Sequence, residues 1–203
     1  HNLLKRLTAI KTLKKETLSL ANQERFEREA LLASKLCHPN TVRIYDFGFT
    51  DTQNYYIAME YLEGVTLNQL VDISGPLNES RTIHIVLRVC RSLREAHKKN
   101  LIHRDIKPQN IMLCYFGETY DFIKVLDFGL VKELDPENKE EMTKLFEVGG
   151  TPMYMSPERI TDPSQVDYRT DIYSIGAIIY FLLTGRKPFH KGVTDLDTIN
   201  HVL

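Results

Sequence analysis

The segment "HRDIKPQNIML", from His103 to Leu113, gathers an imidazole, a guanidinium, a carboxylate, an ammonium and two amides around one proline, then turns apolar. Side chains of these types can accept a proton, offset the charge of an anion or offer oxygen to a cation. Alone they fit a solvated turn better than a site, because charged residues beside proline ordinarily mark a surface loop. The two readings separate only if the rest of the chain aims further ionisable groups away from water.

It does so twice upstream. Leu7, Ala9, Lys11 and Leu13 alternate with Thr8, Ile10 and Thr12, so a strand carries Lys11 on its apolar face. From Asn22, an N-cap residue, "NQERFEREALLASKL" reads as a helix ending before "HPN". Phe26, Ala33 and Leu36 form its inward stripe, and Glu29 falls inside that stripe. Long charged side chains in such places often snorkel to the surface. Buried and unpaired, each is strongly destabilising, which gives Lys11 and Glu29 a reason to pair with one another.

The elements that must position these groups follow from periodicity. "TVRIYDFGF" and "YYIAMEY" read as strands, completing a small antiparallel sheet that carries one helix. After "LEGVTLNQL" the pattern becomes helical, and in "SRTIHIVLRVCRSLREAHKKN" the expected core stripe is Ile83, Leu87, Cys90 and Leu93. Basic residues gather at the end of that helix, where they suit its dipole. The opening segment lies between two short apolar pieces, Leu101-Ile102 and Ile111 to Leu113, and reads as strand-loop-strand. A further strand, "FIKVL", leads into Asp127-Phe128-Gly129. A long segment of weak periodicity then runs to Glu158, and "TDIYSIGAIIYFLLTG", apolar nearly all round, reads as a central buried helix.

Composition narrows the function classes. The 203 residues are 42% hydrophobic and 26% charged, and 26 basic against 27 acidic residues leave a net charge of -1. That balance argues against nucleic acid as a general partner, so any phosphate binding must be local. Cys37, Cys90 and Cys114 lack metal-ligand spacing and suit a reducing, cytoplasmic compartment. The longest apolar run, Ile175 to Leu183, is far short of the roughly 20 residues that cross a bilayer, so no membrane segment is expected within the chain. The sequence opens in mid-pattern without an initiator methionine and reads as a piece of a longer protein.

"AIK", a helix with inward Glu29, "HRDIKPQN", "DFG" and "SPE" occur in the order of the protein-kinase signature set. Over nearly its whole length the chain resembles a Ser/Thr protein kinase, and "IAMEYLEGVTL" with "HRDIKPQNIM" is similar to the bacterial eukaryotic-like branch. The resemblance implies an α+β, two-lobed fold: a small antiparallel-sheet lobe with one helix, and a larger, mainly helical lobe. Residues 1–59 are then a small lobe lacking the Gly-rich loop, 60–64 the hinge, and 65–203 a large lobe lacking its C-terminal helices. Both ends read as truncated.

The resemblance also implies the activity, transfer of the γ-phosphoryl group of Mg-ATP to Ser/Thr hydroxyls of protein substrates. Asp105 becomes the acceptor of the hydroxyl proton, Lys107 offsets charge on the transferring group, and Asn110 and Asp127 supply oxygen to Mg²⁺. Lys11, held by Glu29, grips the α- and β-phosphates. Backbone groups of Glu60 and Leu62 meet adenine, Ala9 and Met112 sandwich the ring, and Met59 guards the back of the pocket. His103 packs against the "DFG" backbone, and Asp171 anchors the backbone of the catalytic loop. Arg104 receives a phosphate from the activation segment, the 32 residues from Asp127 to Glu158, with Thr143 its proposed source. Thr151 bonds Asp105 and Lys107. A lysine two residues after the aspartate accompanies Ser/Thr specificity in the family. Two rivals share the architecture: a pseudokinase that binds without transfer, and a phosphotransferase acting on small alcohols.

Overall fold

The computed structural model describes residues 5–13, 20–50, 54–128 and 152–189. Strands β1 (Thr8–Leu13), β2 (Ile44–Phe49) and β3 (Tyr55–Glu60) form an antiparallel sheet in the order β1-β3-β2. Directly opposed residues of an antiparallel pair share a face. Lys11 opposes the fully buried Ile57, and Ala9 opposes Met59, so the alternation expected of β1 holds. Helix α1 (Leu20–Ser34) covers that face with Phe26, Ala30 and Ala33, and the Phe26 ring meets Tyr55 at 4.7 Å. The helix starts two residues before Asn22, which therefore lies within its first turn and does not cap it.

The second unit begins with β4 (Gly64–Thr66) and α2 (Leu67–Ser74), continues through α3 (Glu79–Lys98), and adds β5 (Ile111–Phe116) and β6 (Thr119–Val125). It closes with the short helix α4 (Pro157–Thr161) and with α5 (Arg169–Thr184). Thr66 caps α2 by accepting from the Gln69 N–H, while the Gln69 side chain accepts from the Thr66 N–H, a reciprocal capping box. Asn78 caps α3 by accepting from the Arg81 N–H. β4 runs so close to β5 that a Cβ at Gly64 would collide with the Leu113 carbonyl, so only glycine fits there. Among the described residues, no helix is long and apolar enough to cross a membrane.

Two expectations need correction. The buried stripe of α3 is Ile85, Val89, Leu93 and Ala96, whereas Ile83 and Leu87 are 58% and 47% exposed and Cys90 is only half-buried. Both sets satisfy helical spacing. The choice is made by what α3 packs on, and the bidentate Arg81–Asp121 pair to β6, with both contacts at 2.8 Å, accompanies the packed orientation. Ile85→Ala is therefore expected to cost about 2–5 kcal/mol and Ile83→Ala within about 0.5 kcal/mol. Urea unfolding of the two variants measures both. The second correction is that Leu101-Ile102 is not a strand: the Leu101 N–H still bonds the Ala96 carbonyl at the end of α3, so the segment leaves the helix as a loop.

Side chains bolt the turn after α1 onto the second unit. Glu95 of α3 accepts from the Cys37 and His38 N–H groups at 3.1 and 2.8 Å. The Asn40 amide donates to the Ile123 carbonyl at 2.8 Å, and the Thr41 and Ser92 hydroxyls meet at 2.6 Å. The small sheet is thereby set against β6, whose C-terminal end carries Asp127.

Candidate active site

The loop from Leu101 to Asn110 has almost no regular structure of its own, so its shape is imposed from outside. Asp171, in the first turn of α5 and only 1% exposed, accepts from the His103 and Arg104 N–H groups, both at 2.9 Å, and lies 2.7 Å from His97 Nε2. Burial works to raise the Asp171 carboxyl, but these hydrogen bonds outweigh it and hold the group below the usual carboxylate range. Asp171 thus anchors the loop as the resemblance implied. His97, which reinforces that anchor from α3, has no distinguishing signal in the sequence.

His103 is fully buried with its ring 4.6 Å from that of Phe128. Its Nε2 lies 2.7 Å from the Leu126 carbonyl, an obligatory acceptor, and its Nδ1 accepts from the Asp105 N–H at 3.3 Å. The ring therefore carries its proton on Nε2 and works as a strut between Asp105 and the segment that leads to Asp127.

Asp105, Lys107 and Asn110 come together. Lys107 Nζ lies 3.0 Å from Asp105 Oδ2, and the Asn110 amide donates to the Asp105 carbonyl and to Oδ2 at 2.7 and 2.8 Å. With its NH₂ turned to Asp105, Asn110 presents its oxygen in the other direction. The Asn110 carbonyl accepts from the Leu126 N–H at 2.9 Å, which couples the loop to the neighbour of Asp127. Asp127 has a left-handed backbone (φ 46) and pairs with Lys11 at 3.0 Å.

The expected Lys11–Glu29 pair is the main correction. Among the described residues Lys11 pairs with Asp127, while Glu29 pairs with Arg104 at 2.8 Å. Lys11 and Glu29 point inward as the periods of β1 and α1 require, but Arg104 and Asp127 reach the same cleft from irregular segments, and four charges there admit two pairings. Where α1 sits against the loop decides between them.

At the junction of the two units, Met59 faces a small apolar gap it shares with Ala33, Val42, Ile44, Ile57 and Phe128. The Glu60 carboxylate turns away to accept from Lys124 Nζ at 2.5 Å and from the Arg43 N–H at 2.7 Å. The Glu60 N–H donates to the Arg43 carbonyl at 3.0 Å, and Leu62 follows in the irregular stretch before β4. Met112 on β5 opposes Thr66 on one side and Lys124 on the other. Lys124 is buried, and its only signal in the sequence is a lysine inside the apolar strand "FIKVL". Thr143 and Thr151 lie outside the described residues.

The sequence profile of the protein kinase domain matches residues 1–202. The chain belongs to the protein kinase family. This kinase domain is 45% identical over 168 residues to the serine/threonine-protein kinase pkn3 of Myxococcus xanthus, covering 82% of the chain and 30% of that protein. To the serine/threonine-protein kinase PknB of Mycolicibacterium smegmatis it is 41% identical over 168 residues, 81% of the chain and 26% of that protein. The chain thus spans under a third of these relatives' length. Among solved structures, Rad53 1-466 in complex with AMP-PNP aligns with a TM-score of 0.73 and 28% identity over 96% of this chain and 45% of that one. The two-lobed α+β kinase fold expected from the sequence is borne out.

Proposed function

We propose that the protein containing this kinase domain transfers the γ-phosphoryl group of Mg-ATP to serine and threonine hydroxyls of protein substrates. One observation carries the reading: Lys107 and Asn110 both contact Asp105, the Asn110 backbone carbonyl accepts from the Leu126 N–H, and Asp127, next to Leu126, pairs with Lys11. Phosphoryl transfer asks chiefly for positioning and charge compensation, and this set offers a carboxylate beside Lys107 and, along the same chain of contacts, the oxygens of Asn110 and Asp127 and the ammonium of Lys11. The bacterial Ser/Thr kinase relatives support the same substrate class.

The donor set fits magnesium. The Asp127 carboxylate and the outward oxygen of Asn110 are hard ligands of the kind Mg²⁺ prefers, and two protein ligands suffice for an ion that also takes phosphate oxygens. Bound Mg-ATP supplies the electrophilic phosphoryl group. The chain's own residues do the rest. Backbone groups of Glu60 and Leu62 orient the adenine between Ala9 and Met112, with Met59 behind it. Lys11 exchanges Asp127 for the phosphates. Asp105 takes the proton from the acceptor hydroxyl, and Lys107 offsets charge on the group in flight.

Regulation rests on Arg104. Together with Arg28, Glu24 and Glu29 it lines a cleft of about 440 Å³ between α1 and the loop, where a phosphate from Thr143 would take the place of Glu29 on Arg104. Thr151 would bond Asp105 and Lys107 with a free hydroxyl. All three cysteines are free thiols, consistent with a cytoplasmic domain.

The test offers the full-length parent protein Mg-ATP with serine and threonine peptides beside small alcohols. Peptide phosphorylation that stops on chelation of Mg²⁺ is the expected result. Transfer to small alcohols alone would identify the other phosphotransferase class, and nucleotide binding without transfer would mark a pseudokinase. In the active protein, phosphopeptide mapping should find Thr143 modified and Thr143→Ala should lower turnover. An unmodified Thr143 with full activity of that variant removes the regulatory role.

A further inference from the structure

We infer that Arg159 is a positioning residue for Asp105, clamping the peptide that joins Arg104 to Asp105. The inference rests on the proposed phosphoryl transfer for its kinetic consequence, but not for its geometry.

Arg159 follows Glu158 on α4 and is only 7% exposed. Arginine is almost never buried to that degree without partners. Its Nη1 donates to the backbone carbonyl of Arg104. That carbonyl belongs to a residue with φ 62, a left-handed conformation that a non-glycine side chain keeps only when its surroundings over-determine it. The N–H of the same residue is held by Asp171 Oδ1 at 2.9 Å. Arg104 is therefore gripped on both sides, an acid at its N–H and a guanidinium at its carbonyl, and the next residue is Asp105.

Both jaws stand on one base. The Ser156 hydroxyl, before α4, meets the Thr170 hydroxyl at 2.5 Å, and Thr170 directly precedes Asp171. The Arg159 N–H bonds the Ser156 carbonyl at 3.1 Å, and Ser174 of α5 donates to the Tyr154 carbonyl at 2.6 Å. These bonds tie the segment carrying Arg159 to the helix carrying Asp171. Burial pushes the Arg159 guanidinium down from its usual value and Arg104 adds to this, while Asp105 and Asp171 favour its charge. Those two carboxylates make a buried cation tolerable beside the loop.

The clamp acts on Asp105 and not on the nucleotide. Lys11, Asp127 and the Glu60–Lys124 contact involve other elements, and Asn110 touches the clamped peptide only through its side-chain amide nitrogen, not its oxygen. Loss of the guanidinium should free the Arg104–Asp105 peptide to rotate, moving the Asp105 carboxylate away from the acceptor hydroxyl while ATP still binds. A misplacement of this kind by about 1 Å can lower turnover on the order of 10²-fold.

The experiment compares Arg159→Met, which fills the space without a donor, and Arg159→Lys, which keeps the charge and one donor, in the full-length parent protein. For Arg159→Met, kcat on a serine or threonine peptide should fall on the order of 10²-fold with the ATP KM unchanged within about twofold. Amide hydrogen exchange over residues 101–107 should speed by about tenfold, with residues 57–62 unaffected. Arg159→Lys should recover part of both. Unchanged exchange at 101–107 overturns the inference, as does a parallel decline of kcat, ATP affinity and protection throughout α5, which would mean a merely structural role. If Arg159→Met does not fold, Arg159→Lys decides by the same two readouts. A wild-type protein that transfers no phosphate would refute the proposed activity, and the exchange measurement then decides the clamp alone.

Discussion

Asp105→Asn in the full-length parent protein is expected to lower phosphoryl transfer to serine or threonine peptides by about 10²–10⁴-fold, the range that general-base groups contribute. Asparagine keeps the shape of the side chain but cannot take a proton from the acceptor hydroxyl. The scaffold should persist, because the Asn110 amide also donates to the residue 105 backbone carbonyl and Asp171 still holds the loop. Mg-ATP binding should therefore change little: Lys11 and Asp127 pair with each other and not with Asp105. Steady-state kinetics paired with calorimetric nucleotide titration separates the two. Peptide phosphorylation at the wild-type rate would remove Asp105 from the catalytic role.

The second large effect is expected at Asp171. Removing one partner from a buried, hydrogen-bonded charge cluster costs about 3–5 kcal/mol, and Asp171→Ala leaves the His103 and Arg104 N–H groups and His97 Nε2 without their acceptor. Stability and turnover should fall together, since the strained Arg104 backbone relaxes at the same time. Asp171→Asn is milder but retains one oxygen where two are used, so its NH₂ must face a donor. The pH dependence follows from the depressed carboxyl. Folding favours the ionised form, so the contribution is fully present above the ordinary aspartate value of about 3.9 and is lost as pH falls through the lower folded value. The difference in stability between wild type and Asp171→Asn should accordingly shrink toward acid pH. A constant difference between pH 7 and pH 3, measured by denaturant unfolding, would rule out this linkage.

Lys124 and Arg159 show where sequence reading stops. Each is a cation within an apolar or catalytic neighbourhood, and each acquires meaning only from a partner far along the chain. Glu60 lies 64 positions from Lys124, and the Arg104 carbonyl 55 from Arg159. No local period encodes such pairs. His97 likewise reads as one more basic residue at the end of a helix until α5 brings Asp171 to it.

What the amino-acid order determined by itself was local. The two-residue period of β1 put Lys11 inward, and the helical period of α1 put Glu29 inward. The spacing within "HRDIKPQN" brought Asp105, Lys107 and Asn110 within hydrogen-bonding reach, because the three lie within six residues of one tight loop. The ordered set of motifs carried the family and hence the fold. Tertiary structure alone decided which face of α3 is core, since Ile83 and Ile85 both satisfy a helical stripe and only packing against β6 and α5 distinguishes them. It also decided that Glu29 pairs with Arg104 and Lys11 with Asp127. Periodicity fixes the direction in which a side chain leaves its own element, whereas the choice among several inward charges depends on how separate elements are placed, because Coulombic attraction falls with distance and a few ångströms decide which pair prevails.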